Sequence, residues 1–145
     1  MAAYGWILPQ LPDDARYAQF LKAGEFRLQR CTGCRAFRSP ARWICPHCGS
    51  EDYAWEQPQP SGTVTSVSWF FQDLVLKSTG DEGRRPSLPY SVVVVRLDDG
   101  PFLMARAEGV KFGELAVGDR VTAVIAKALL ADEPRIVFTP VIGSA

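Results

Sequence analysis

The sequence predicts a mainly β protein in three parts: an N-terminal helix, a small metal-stapled ribbon and a closed five-stranded barrel. Three observations carry that expectation. The chain's 4 cysteines stand as two Cys-x-x-Cys pairs, Cys31-Thr32-Gly33-Cys34 and Cys45-Pro46-His47-Cys48. A breaker-rich stretch with Pro58, Pro60, Ser61 and Gly62 then marks a boundary. Beyond it, short β-branched and aromatic runs are separated by Gly-marked turns. The parts are a leader with a helix over 1–25, a ribbon over 26–57 and a barrel over 62–143.

The leader holds Tyr4, Trp6, Ile7, Leu8 and Leu11, apolar residues without helical or strand regularity. The helix starts after Pro12 with Asp13 or Asp14 as N-cap, and Gly24 is its stop. Tyr17, Phe20 and Leu21 fall at i, i+3 and i+4, so they form one apolar stripe that must dock on something.

In the ribbon, Phe26–Arg30 alternates apolar and polar residues and runs into Cys31, while Ala36–Trp43 returns antiparallel to deliver Cys45. Tyr53 and Trp55 alternate on a third strand. A module of about thirty residues cannot build a sufficient core, so a metal must supply stability on the order of 10 kcal/mol. Two Cys-x-x-Cys pairs on facing turns bring four thiolates to one ion, roughly 2.3 Å from each sulfur. Gly33 and Gly49 are placed to allow the tight turns. Zinc suits an all-sulfur site with no open position. Paired disulfides are the alternative; the spacing and the lack of secretory features weigh against them.

The first barrel strand is Thr63–Gln72. Val67, Trp69 and Phe71 share one parity while Val64 and Phe70 take the other, which predicts a bulge or strong bend. Tyr90–Leu97 follows, and its run from Val92 to Val95 reads as buried on both faces. Asp98-Asp99-Gly100 turns the chain into Phe102–Ala107, and Arg120–Lys127 and Arg135–Val141 complete five antiparallel strands. The OB-fold is the commonest five-stranded closed form, with an SH3-like barrel as runner-up. The long connection Asp73–Pro89, with Lys77, Arg84 and Arg85, is of a length that is either functional or disordered.

Composition narrows the function classes. The 16 basic and 16 acidic residues cancel, which argues against a dedicated nucleic-acid binder. Trp69, Phe70, Phe71 and Tyr90 would be the base-stacking residues of that alternative, a single-stranded nucleic-acid-binding protein, yet no basic residues are expected to interleave with those aromatics on the barrel. Lys22, Arg27, Arg30, Arg35, Arg38 and Arg42 form a basic stretch opposed by Glu25, either a solvated face or a dock for an anion or acidic surface. No apolar run is long enough for a membrane span, and the leader lacks a signal peptide's basic start, so a reducing cytoplasm is expected. Catalysis by the chain alone is not expected. His47 is the one histidine, the cysteines are committed to metal, and a closed four-thiolate site offers no place for an activated water. Carboxylates at Asp98-Asp99 and Asp132-Glu133 lie in turns, where solvation explains them. Electron transfer is a further class, because Cys45-Pro46-His47-Cys48-Gly49 is similar to a rubredoxin knuckle; Cys34-Arg35 departs from it.

Several segments together carry a more specific resemblance. They are the two cysteine pairs, the strand opening Gly62-Thr63-Val64, Pro89-Tyr90-Ser91-Val92 through Asp99-Gly100, and Val117-Gly118-Asp119-Arg120-Val121. In this order they resemble the acyl-CoA-associated zinc-ribbon/OB-fold family, long catalogued as a domain of unknown function, over residues 13–141. The resemblance implies a rubredoxin-like ribbon with structural zinc on Cys31, Cys34, Cys45 and Cys48, followed by an OB-fold. It implies a non-catalytic subunit that binds a thiolase-like enzyme, or a hydratase or aldolase, and shares a CoA thioester with it. Arg84 and Arg85, or Arg35, Arg38 and Arg42, would serve the cofactor's phosphates, and Trp69, Phe71 and Tyr90 would supply contacts to the thioester or the partner. The leader has no counterpart in the resemblance.

Overall fold

The computed structural model describes residues 14–71, 88–127 and 134–141. The leader, Asp13, Arg84, Arg85 and Asp132-Glu133 lie outside these residues. The chain divides into two compact units between Pro58 and Gln59, with the turn Asp99–Pro101 grouping with the first.

In the first unit, helix α1 spans Asp14–Lys22. Gly24 adopts φ 79°, which frees the Gly24 amide to donate to Leu21 O (3.0 Å) and the Glu25 amide to donate to Phe20 O (2.8 Å). That pair of bonds is a Schellman close, and only glycine takes such a φ without strain. The apolar stripe docks as it must: Leu21 is buried, and the Phe20 ring packs 5.4 Å from Trp55. Strands β1 (Leu28–Cys31), β2 (Phe37–Arg38) and β3 (Tyr53–Glu56) form one sheet in the order β2-β1-β3, with both pairings antiparallel. Strand β2 is two residues long, well short of the expected Ala36–Trp43. Pro40 has no amide to extend the ladder, and side chains take over. The Arg38 guanidinium donates to the carbonyls of Arg42, Ser50 and Asp52, and the Arg42 amide donates to Gln29 Oε1.

The second unit is a closed barrel of β4 (Ser61–Phe70), β5 (Tyr90–Leu97), β6 (Phe102–Ala107), β7 (Arg120–Lys127) and β8 (Pro134–Pro140), in the order β4-β5-β6-β8-β7. The expectation of five antiparallel strands needs one correction. Strands β6 and β8 pair parallel, through Ala107 and Phe138. A ring with an odd number of strands cannot alternate direction all the way round, so one neighbouring pair has to run the same way.

The predicted bulge lies at Thr65, where the register steps from Val64 opposite Val95 to Ser66 opposite Val94. Before it Gly62 and Val64 point inward; after it Val67 and Trp69 take the inner side and Phe70 turns out. One extra residue has exchanged the faces, which the sequence parity had required. Strand β5 is buried on one face, not two. Ser91, Val93, Val95 and Leu97 are buried, while Val92 and Val94 are half-buried, because a barrel wall has one inner and one outer side. These inward residues, with Val64, Val121, Ile136 and Phe138, make the core.

Gly62 sits where β4 pairs with two strands at once, opposite Leu97 of β5 and Val121 of β7. A Cβ there would lie 2.6 Å from both Arg96 O and Val95 Cγ1, so only glycine lets the strands meet. Beside it Arg120 grips Asp98 with two bonds of 2.7 Å and reaches Thr63 Oγ1 at 3.0 Å. Solvation is therefore not a sufficient account of Asp98; its carboxylate joins the β5–β6 turn to β7.

Candidate functional site

The two Cys-x-x-Cys pairs fold into matching knuckles. In each, the first cysteine's carbonyl accepts from the amide four residues on: Arg35 to Cys31 at 3.0 Å, Gly49 to Cys45 at 2.9 Å. The first cysteine's amide then donates to the carbonyl five residues on, Ala36 and Ser50, both at 2.8 Å. The left-handed residue is the one after the second cysteine, Arg35 at φ 66° and Gly49 at φ 77°. The expected turn role of Gly33 is thereby corrected, since Arg35 carries that conformation.

The four Sγ atoms lie within 4.8 Å of one another, with Cys31 to Cys48 and Cys34 to Cys45 each at 3.5 Å. A tetrahedron with metal–sulfur bonds of about 2.3 Å has edges of about 3.8 Å, so the donor set fits one zinc ion. A disulfide bond is only about 2.05 Å long. When bound, zinc would act as a structural cross-link between the knuckles, with every position filled by sulfur. Two of the four thiols are already biased toward it. The Cys34 amide, with the Gly33 amide and neighbouring Cys48 and Arg38, lowers the Cys31 pKa to about 6 against burial. At Cys45, burial raises the pKa, but the amides of Cys48 and His47 and the adjacent thiols carry it below its usual value. At Cys34 the Ala36 amide pulls downward, yet burial and the three neighbouring thiols prevail and raise it to about 11. Two early thiolates therefore make the later ones costly, a repulsion that a dication at the centre would relieve.

Four arginines of the basic stretch are engaged within the first unit. Arg27 pairs with Glu25 at 3.0 Å, and Arg30 and Arg35 share Glu56 at 3.8 and 3.2 Å. Arg38 is 1% exposed and held by three carbonyls above the Tyr53 ring, so it is ribbon framework and no cofactor ligand. Its burial was missed because its acceptors lie up to 14 residues away in sequence.

The barrel's aromatics separate into two groups. Trp69 and Phe71 meet Phe112 at 5.3 and 5.1 Å, edge to face. Tyr90 lies on the opposite, outer side, stacked on Phe70 at 5.0 Å with the Arg106 guanidinium 5.2 Å from its ring. The sequence expectation that no basic residue is interleaved with these aromatics is corrected, because strand pairing brings Arg106 to them. Phe102 and Met104, exposed at 53% and 70%, continue that outer face and were not singled out from sequence. Their alternation along β6 was the available signal. Among the described residues, no helix is long and apolar enough to cross a membrane.

A four-cysteine ribbon followed by a five-stranded barrel closed by one parallel pair defines a zinc-ribbon/OB-fold protein. The comparisons place it further. Residues 18–54 match the ChsH2 rubredoxin-like zinc ribbon domain, and residues 55–126 match the ChsH2 C-terminal OB-fold domain. A DUF35 domain-containing scaffold protein of Pyrococcus furiosus is 30% identical over 72% of this chain and 76% of its own length. The chain belongs to the DUF35 family, with the ribbon and barrel in the ChsH2 arrangement. A probable enoyl-CoA hydratase alpha subunit of Thermomonospora curvata is 28% identical over 73% of this chain; the chain spans only 31% of that relative's length. The solved Ltp2-ChsH2(DUF35) aldolase matches 89% of this chain and 94% of its own at 25% identity, with a TM-score of 0.73. A DUF35 protein of Sulfolobus solfataricus, described as of unknown function, shares the fold at 21% identity with a TM-score of 0.56, covering 90% of this chain and 86% of its own.

Proposed function

We propose that the chain is a non-catalytic accessory subunit that binds a CoA-thioester enzyme and helps form or hold its acyl-CoA site. The observation that carries this reading is the likeness to the Ltp2-ChsH2(DUF35) aldolase, which runs through 89% of the chain. The names of the hydratase subunit and the scaffold protein point the same way. The chemistry is compatible: His47 is the single histidine, the cysteines converge on one centre, and four sulfur donors leave a metal no open coordination position. Zinc here builds the ribbon, and the enzyme subunit supplies the reacting groups. A thiolase-fold partner is the first choice, with an aldolase or hydratase as the other members of that class.

The test is reconstitution. The enzyme that co-purifies with the full chain from its native host is identified by mass spectrometry and produced with and without it. The isolated chain is expected to show no thiolase, aldolase or hydratase turnover, the enzyme alone to be weak or insoluble, and the mixture to be active. Full activity of the enzyme in the complete absence of this chain overturns the proposal. Joint replacement of Arg84 and Arg85 by alanine is expected to weaken CoA-thioester use more than assembly; normal kinetics would remove those residues from the site.

A further inference from the structure

The outer face of β4, β5 and β6 combines exposed apolar and aromatic residues with two arginines. Strand register sets its residues in rows: Ser66, Val94 and Met104; Ser68, Val92 and Arg106; Phe70 beside Tyr90; Arg96 beside Phe102. The centre is aliphatic, with Val92 and Val94 half-buried beneath an open Met104. Aromatic rings bound it, and its two charges are both guanidinium. Among the described residues no carboxylate is paired with Arg96 or Arg106, whereas Arg27, Arg30, Arg35 and Arg120 all have one. The Arg106 Nε is buried and without an acceptor. Arg106 as a whole is half-buried, so a carboxylate reaching the face would meet a guanidinium already partly desolvated.

We infer that this face is the docking surface for the enzyme subunit, and that the matching surface offers an apolar anchor over Met104 with carboxylates for Arg96 and Arg106. The inference rests on the accessory-subunit reading and adds the surface and the chemistry of its complement. Aromatic residues, methionine and arginine with few lysines or acids are what protein interface cores select. Nucleic acid fits less well. Tyr90 lies between Phe70 on the β4 side and Arg106 on the β6 side, so its ring faces are occupied and no base can stack there. An aliphatic centre also gives bases little to stack on.

The test measures binding of the identified enzyme to full-length, zinc-loaded chains. Met104→Glu introduces a like charge where an acidic rim is expected. Met104 is 70% exposed, so the barrel should tolerate the change, with zinc content and β signature as controls. Affinity is expected to fall on the order of 30-fold, the loss typical of a strong interface position. Val117→Glu, at a position 68% exposed outside this face, should bind as the unaltered chain does. Arg106→Gln should weaken binding and flatten its dependence on salt. Unchanged affinity of the Met104 variant overturns the surface and leaves the accessory role standing. Recovery of no enzyme with the unaltered chain overturns both. If Met104→Glu instead abolishes salt-dependent binding of a single-stranded oligonucleotide, or converts a dimer of this chain to monomer, with enzyme binding intact, the assigned occupant is wrong.

Discussion

The ribbon and the barrel solve one problem by different means. The barrel closes its ladder through five strands and gathers Val64, Val93, Val95, Val121 and Phe138 at 0–1% exposure into a continuous apolar interior. The ribbon has three strands, one of them two residues long, and its small apolar interior, Phe26 included, is mixed with polar groups. Beside Leu28, Phe37 and two cysteines it buries Gln29 and Arg38 at 1% exposure each. Burying a guanidinium is unfavourable, and here Arg38 bonds three carbonyls while its Nε and Gln29 Nε2 stay unpartnered. Side-chain to carbonyl bonds and a cross-linking metal therefore take the place of a hydrophobic core. The barrel should stand without metal, and the ribbon should not.

The most direct way to break that contrast is Cys45→Ser. Structural zinc contributes on the order of 10 kcal/mol to folds of this size, so losing one ligand should release the ion and melt residues 26–56. The barrel's amide signals should persist in the same spectrum. Unchanged zinc stoichiometry would remove Cys45 from the ligand set, and a collapse of both units would show that they do not fold separately. A red purified protein would mean iron, not zinc, in the four-sulfur site; a colourless one is expected.

Replacing Arg38 by Met probes the polar interior. The Arg42 carbonyl loses its donor, while the Ser50 and Asp52 carbonyls each lose one of two and keep the amides of Cys45 and Thr32. Each buried group left unpaired costs about 1–3 kcal/mol, so zinc should be held more weakly by the ribbon while barrel stability is unmoved. In the barrel the counterpart is Gly62→Ala. Its Cβ would meet backbone at 2.6 Å, and overpacking at such a point costs about 1–3 kcal/mol. The urea midpoint of the barrel should fall while zinc content stays the same. A barrel that tolerates the change would mean that the β4 corner can open.

What could be read in advance divides along the same line. The cysteine spacing located the ribbon. Parity within β4 foretold the bulge, because an alternating pattern records its own interruption. These signals are local. The features that were missed depend on partners far away in sequence: the acceptors that bury Arg38, the grip of Arg120 on Asp98, and the pairing that carries Arg106 to Tyr90. A left-handed Arg35 was also hidden, since glycine usually occupies that place and the neighbouring Gly33 drew the expectation instead. Arg35→Gly should remove about 1 kcal/mol of backbone strain and forfeit an exposed pair with Glu56 worth less than that. A small gain in zinc retention is expected, and a clear loss would show that the ion pair matters more than the backbone.

The smallest effect is expected at the barrel's surface clasp. Hydrogen bonding from Arg120, aided by its charge and opposed by partial burial, holds the Asp98 carboxyl below its ordinary value of 3.8. A depressed carboxylate stabilises the fold fully above the unfolded value, and that contribution fades as pH falls through the folded one. The barrel should therefore lose the clasp only below about pH 4. Both side chains are well exposed, at 43% and 44%, so solvent and salt screen the pair and its geometry must supply most of its worth. Two parallel bonds of 2.7 Å, with Thr63 as a third contact, are the arrangement in which an exposed pair still contributes, by up to about 1 kcal/mol. Asp98→Asn should lower barrel stability by that much at pH 7 and by progressively less as pH falls below the ordinary carboxylate value and through the lowered one. Equal losses across that range would mean that Asp98 acts through the shape of the β5–β6 turn and not through its charge.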